Sequence, residues 1–351
     1  MKPWQAPGNG NKKYDHNGVK MHCSASTLKN PKLSKCNLGF FLFKKKAFNY
    51  MKQNLDYKLI FALATVGVVW GTTFLGIRVA VETIPPWFVT SIRQGLAGLM
   101  IMTVLLFKKE LKWIGWKNLK HQLVPSILMI VIANGFTTVA EQTLPSGLAS
   151  VISAMSPILI FIGSILFGLQ KASLKGFVGV IIGFSGVVFI FKEGLGSFLD
   201  ADYKIGVLFM GLAILAWAAG TIYTKTHAYK SGNIALNLFY QFTMASCIQL
   251  VLAFIFSPNP DISLWSSRSI FASLYLSVFG SVIAFLCYNY ALKRVTAVQV
   301  SILSYINTII AVFLGWLILD EKITVDFIIA TVLIILGVFI INYKKKENHI
   351  K

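Results

Sequence analysis

The sequence predicts an all-α integral membrane protein, with ten transmembrane helices arranged as two inverted five-helix repeats. Three observations carry that prediction. Ten apolar runs of roughly 20 residues follow one another, each long enough to cross a bilayer as a helix. Positive charge concentrates on every second connection, which is the positive-inside signature. The two halves of the chain also match each other at a fixed offset.

Composition agrees. The chain has 351 residues, 56% of them hydrophobic and 13% charged, with a mean hydropathy of +0.68. A soluble domain carries about 25% charged residues, so most of this apolar surface meets lipid or another helix. The net charge of +20 does not indicate nucleic-acid binding. Residues 1–50 hold ten Lys and one Asp, and the remaining excess lies in short connections. No folded basic face interleaved with aromatics is visible. The tail is rich in Lys, Asn and Gly and is expected to be disordered. Its one apolar patch, Gly39 to Phe43, is too short for a signal peptide. Met51 precedes a polar lead into the first span and is a candidate natural start.

The predicted spans are 59–80, 86–107, 122–141, 146–168, 173–191, 205–224, 233–256, 269–290, 296–318 and 323–343. Connection 108–121 holds five Lys against Glu110, and 170–175 holds Lys171 and Lys175. Lys225 and Lys230 follow the sixth span, Lys293 and Arg294 the eighth, and four Lys occur in the C-terminal tail. The alternate connections are acidic or poor in Lys, with Glu82, then Glu193, Asp200 and Asp202, then Asp320 and Glu321. This alternation puts both termini in the cytoplasm and makes the number of spans even.

At an offset of 151, Val131-Ile132-Ala133 matches Val282-Ile283-Ala284. Ser126 matches Ser277, Ser150 and Ser153 match Ser301 and Ser304, and Gly186 matches Gly337. With a small gap, Trp70 matches Trp217. Five spans per half turn the second half upside down relative to the first, an arrangement found in secondary transporters. The expected organisation is a basic tail at 1–57, a first repeat at 58–191, an external linker at 192–204, a second repeat at 205–343 and a cytoplasmic tail at 344–351.

The residues also carry a family resemblance. They include Trp70-Gly71-Thr72-Thr73-Phe74, Ile84-Pro85-Pro86 with Arg93, and Asn134-Gly135. Ala140-Glu141-Gln142-Thr143-Leu144-Pro145-Ser146-Gly147 and Ser156-Pro157 continue the pattern. In the second half they are Phe279-Gly280-Ser281, Tyr290-Ala291-Leu292 and Leu319-Asp320-Glu321-Lys322. Over about residues 58–343 the chain resembles the drug/metabolite transporter superfamily, in its ten-helix EamA-type branch. Two positions depart from the pattern. Leu169-Gln170-Lys171 stands where the family often has an acid, and Thr308 where it commonly has Pro. The resemblance implies a multi-pass permease of the bacterial inner membrane that moves a small organic metabolite or drug, with export as the direction.

Charges inside a bilayer are costly, so Arg93 and Glu141 are candidates for an intramembrane charge pair or for energy coupling. The pair could equally be a structural network. Arg78 and Glu82 are expected at the interface. Substrate-cavity candidates are Trp70, Thr73, Asn134, Trp217, Tyr223, Tyr288, Gln299 and Tyr305, because small-molecule pockets combine aromatic walls with a few polar groups. Each is also a residue type used in helix packing. Gly67-x-x-x-Gly71 and Gly179-x-x-x-Gly183 read as packing motifs, and Pro145 and Pro157 as kink sites in span four. No catalytic set, metal site or cofactor is expected. The chain lacks G-x-x-x-x-G-K-[ST], H-E-x-x-H and G-x-S-x-G, and Cys247 and Cys287 read as packing residues. The expected partners are a small-molecule substrate and the lipid bilayer, with the chain a monomer or homodimer. A membrane-embedded enzyme acting on a lipid or sugar phosphate is the alternative reading.

Overall fold

The computed structural model describes residues 57–193, 201–227, 233–301 and 303–342. The expectations for the basic tail, Met51, most of the 192–204 linker and the C-terminal tail fall outside these residues. Every passage is helical. The passages are α1 (Tyr57–Ala80), α2 (Pro86–Phe107), α3 (Gly115–Ala140), α4 (Ser146–Leu166) and α5 (Leu174–Glu193). They continue as α6 (Ala201–Thr226), α7 (Ile234–Phe256), α8 (Ser267–Arg294), α9 (Ala297–Leu319) and α10 (Val325–Asn342). Eight are long and apolar enough to cross a membrane. Within α5 and α10 the apolar stretches among the described residues are shorter, Leu174–Gly183 and Ile328–Gly337.

Local chemistry sets the helix ends. Pro86 opens α2 with Pro85 before it, where a missing N–H costs nothing. The side chains of Asn233 and Ser266 cap α7 and α8 through the amides of Leu236 and Ser269. α4 breaks at Ala154–Met155, just upstream of Pro157. Proline at 157 has no N–H for the carbonyl of Ser153, and the Ser156 hydroxyl donates to that carbonyl instead at 2.6 Å. α3 and α8 each widen into a π-helical stretch, at Ser126–Asn134 and Leu276–Ile283. These stretches lie at nearly the 151-residue offset read from the sequence.

Packing repeats the same correspondence. α2 lies along α7, and α5 along α10. α1 packs on α8 and α9, while α6 packs on α3 and α4. Arg78 of α1 donates to the carbonyls of Glu141 and Gln142 at the end of α3, at 2.5 and 2.7 Å. Lys225 of α6 donates to the carbonyls of Leu292 and Val295 at the end of α8, at 2.7 and 2.8 Å. Each cation sits where a helix presents unpaired carbonyls and negative dipole. Ser91 of α2 and Ser246 of α7 donate reciprocally to each other's carbonyls.

The interhelical faces use small residues, as expected without a water-driven collapse. A Cβ on Gly337 of α10 would stand 2.5 Å from the carbonyl of Gly179 and 2.6 Å from Cα of Gly183, on α5. A Cβ on Gly71 would stand 2.7 Å from Cβ of Ile310 on α9. Outside this packing lies a broad apolar surface that includes Phe107, Leu166, Ile181, Phe254 and Phe313. A water-soluble monomer does not expose such an area. Cys287 packs at the edge of the core, whereas Cys247 is exposed on this surface.

Candidate functional site

Four aromatic side chains meet where the two halves join. Trp70 of α1 and Trp217 of α6 approach edge to face, with ring centroids 5.1 Å apart. Tyr288 of α8 lies 5.0 Å from Trp70 and 5.3 Å from Trp217. Phe285 closes the group at 5.6 and 6.0 Å. These separations fall in the attractive range for aromatic pairs. Polar tips are fixed as well. The Trp70 indole N–H donates to the Gly280 carbonyl at 3.2 Å, and the Tyr288 hydroxyl is 2.8 Å from that of Thr221.

Trp70, Trp217 and Tyr288 of this cluster line a cavity with about 90 Å³ of water-accessible space. α1 contributes Trp70 and Thr73, and α3 contributes Asn134 and Thr137. Serines line it from two helices, Ser153 and Ser156 from α4 and Ser301 and Ser304 from α9. Arg93 of α2 reaches the same space and is 2% exposed. Its Nε donates to the Ser281 hydroxyl at 2.9 Å, and its Nη2 to the Gly280 carbonyl at 3.1 Å. Gly280 makes this seat possible. A Cβ there would stand 2.8 Å from Cγ2 of Thr73 and 3.1 Å from Nη2 of Arg93.

Of the residues expected at a cavity, Trp70, Thr73, Asn134, Trp217 and Tyr288 come together here. Tyr223 does not line it. It sits six residues beyond Trp217, about 9 Å further along the helix axis, where its hydroxyl meets Nδ1 of His121 at 2.9 Å and its ring stacks on His227. Gln299 is absent too, because its side chain accepts from the amide and hydroxyl of Thr296. That is a capping box at the start of α9. The side chain of Tyr305, on α9, lies outside those described.

The expected Arg93–Glu141 ion pair does not form. An ion pair that does form is Arg268–Glu82, at 3.7 Å on the surface. Arg93 spends its contacts on α8, and the Glu141 carboxylate is buried with no hydrogen-bond donor on either oxygen. Glu141 remains within electrostatic range of Arg78, Arg93 and Glu321.

Sequence reasoning missed the role of Glu321. Its Oε1 accepts from the amide and hydroxyl of Ser146 at 2.7 and 2.8 Å, and its Oε2 from the amide of Gly147 at 2.9 Å. A carboxylate from beyond α9 thus caps the start of α4. The sequence signal was Pro145 in the N-cap position of α4, which offers no side-chain cap of its own. No group of three or more His, Cys, Asp or Glu suited to a metal occurs among the described residues.

Comparison with known proteins agrees with this architecture. The EamA-like transporter family model matches residues 57–192 and again 204–343. The chain is 29% identical over 255 residues to the "Uncharacterized inner membrane transporter YedA" of Escherichia coli strain K12, covering 72% of this chain and 80% of that protein. It is 30% identical over 291 residues to "Protein PagO" of Salmonella typhimurium, covering 82% and 93%. Against the "Uncharacterized transporter YoaV" of Bacillus subtilis it is 26% identical, covering 80% and 96%. A protein of known crystal structure shares the fold with a TM-score of 0.61 at 17% identity, over 81% of this chain and 96% of that one.

Proposed function

The chain belongs to the EamA-like transporter family, and from that premise we propose that it is a secondary carrier working by alternating access. In this reading two inverted halves, 58–191 and 205–343, rock about the aromatic cluster, joined by an external linker at 192–204. Both termini are cytoplasmic. The cargo is a small organic metabolite or drug, carried outward across the inner membrane, the direction resting on resemblance to exporters.

The observation that carries the reading is the meeting of Trp70 and Trp217 at one cavity, 5.1 Å apart. They occupy corresponding places in the two halves, as do Arg78 and Lys225 at the two helix ends they cap. Corresponding residues converge on a two-fold axis, and in inverted-repeat transporters substrate sites lie there. Protein in liposomes should show saturable counterflow of a transported compound. Trp70→Ala and Trp217→Ala should each weaken that counterflow more than they weaken expression. Unaltered counterflow in both variants would remove the cluster from the pathway.

A further inference from the structure

We propose that the substrate of this carrier is an organic monoanion, its carboxylate held by Arg93 and its apolar body by Trp70, Trp217 and Tyr288. The inference rests on the carrier reading above and names the cargo class that the same cavity takes.

Arg93 carries the argument. A guanidinium keeps its charge under all conditions of interest, and a buried charge needs a counter-charge as well as acceptors. This one has two neutral acceptors, the Ser281 hydroxyl and the Gly280 carbonyl. No carboxylate among the described residues stands within ion-pair distance of it. It has five N–H donors in a planar fork. Gly280 and Ser281 hold the fork against α8 while Arg93 lines the cavity. Glu141 lies within electrostatic range but makes no contact with it, since both its oxygens lack partners.

A second unspent donor points the same way. Asn134 lines the cavity, and its amide nitrogen is buried with no acceptor. A buried donor without an acceptor is a costly arrangement in a native fold, and a turn of the amide toward the space would let a carboxylate oxygen relieve it. The serines of α4 and α9 supply further small donors around the same space. Trp70, Trp217 and Tyr288 line the same space, Trp70 sharing the Gly280 carbonyl with Arg93, so the remainder of the ligand is apolar or flat. One guanidinium in a cavity of this size matches a monovalent carboxylate. A phosphate dianion would call for a second cation, and none lines the space among the described residues.

The test uses full-length protein in nanodiscs and in liposomes. The probes are phenylacetate and hexanoate, each beside its primary amide and the matching amine. Calorimetric titration should show each acid binding at least tenfold more tightly than its amide, with the amine weakest. In Arg93→Gln the acid should lose that advantage and bind like the amide, and Arg93→Lys should restore part of it. Should Arg93→Gln fail to fold, the acid–amide comparison in the unaltered protein decides alone. Amides or amines binding as well as acids, or no probe binding at all, overturns the proposal. Counterflow separates it from the reading beneath it. Movement of the neutral or cationic probes alone leaves the carrier and removes the anion site. Saturable binding of acids with no counterflow of any probe leaves the anion site and removes the carrier.

Discussion

Replacing Glu321 with Ala should loosen the contact between the two halves at one end of the bundle. Three donors, the amides of Ser146 and Gly147 and the Ser146 hydroxyl, converge on its two oxygens at 2.7 to 2.9 Å. Loss of a helix N-cap costs typically about 1 kcal/mol. A carboxylate at a helix N-terminus adds about 0.3–1 kcal/mol through the dipole, and hydrogen bonds to a charged acceptor are stronger than neutral ones, about 1.5–3 kcal/mol each. Glu321 is half-buried, so water replaces part of this, and about 2–3 kcal/mol in all is a reasonable sum. Glu321→Gln should lose less, because its Oε1 can still serve Ser146 while its NH2 faces the Gly147 amide, donor against donor. Glu321 belongs to the second half and Ser146 to the first, so the loss falls on the state in which this end is closed. At 1.4 kcal/mol per tenfold, that equilibrium shifts by roughly 30- to 150-fold.

The assay places a cysteine at Ile77, which lines the cavity and is 4% exposed, in a background without the four native cysteines. Labelling by a membrane-impermeant maleimide from outside should quicken markedly in Glu321→Ala, less in Glu321→Gln. Ser146→Ala combined with Glu321→Ala should cost less than the sum of the two. Unchanged labelling with an unchanged melting temperature refutes the contact as a latch.

Other substitutions test the packing and the buried charges. Gly337→Ala places a methyl against the backbone of α5 at 2.5–2.6 Å. Backbone atoms cannot step aside singly, so overpacking should cost about 1–3 kcal/mol, read as a lower melting temperature in detergent. Glu141→Gln should change the melting temperature little, since the carboxylate has no hydrogen bond to lose and gives up only through-space attraction to Arg78 and Arg93. A fall equivalent to about 3–5 kcal/mol, the cost of breaking a buried pair, would show that Glu141 is paired after all. Gly280→Ala should unseat Arg93, because the new methyl meets Nη2 at 3.1 Å. Folded yield should fall little, while counterflow falls as far as in a direct Arg93 substitution.

The membrane passages were legible because spanning is a local requirement. In lipid each segment must satisfy its own backbone, so roughly 20 apolar residues announce a helix without reference to any other part of the chain. Gly67, Gly71, Gly179 and Gly183 were legible for a similar reason, since small residues on a lipid-bounded helix have few uses other than close approach. The meeting of Trp70 with Trp217 was foreshadowed by their correspondence in the internal repeat, which makes symmetry an additional source of long-range information. Where neither composition nor symmetry speaks, the tertiary structure decided. Tyr223 shares a helix with Trp217, but its depth and phase carry it to His121. Arg93 found acceptors on α8, nearly 190 residues away in sequence, and left Glu141 unpaired. Glu321 caps a helix 175 residues before it. Polar side chains choose partners by distance and direction within a few ångströms. Spacing along a chain does not encode that choice, and it is settled only when the helices have packed and each donor meets the acceptor that packing brings within reach.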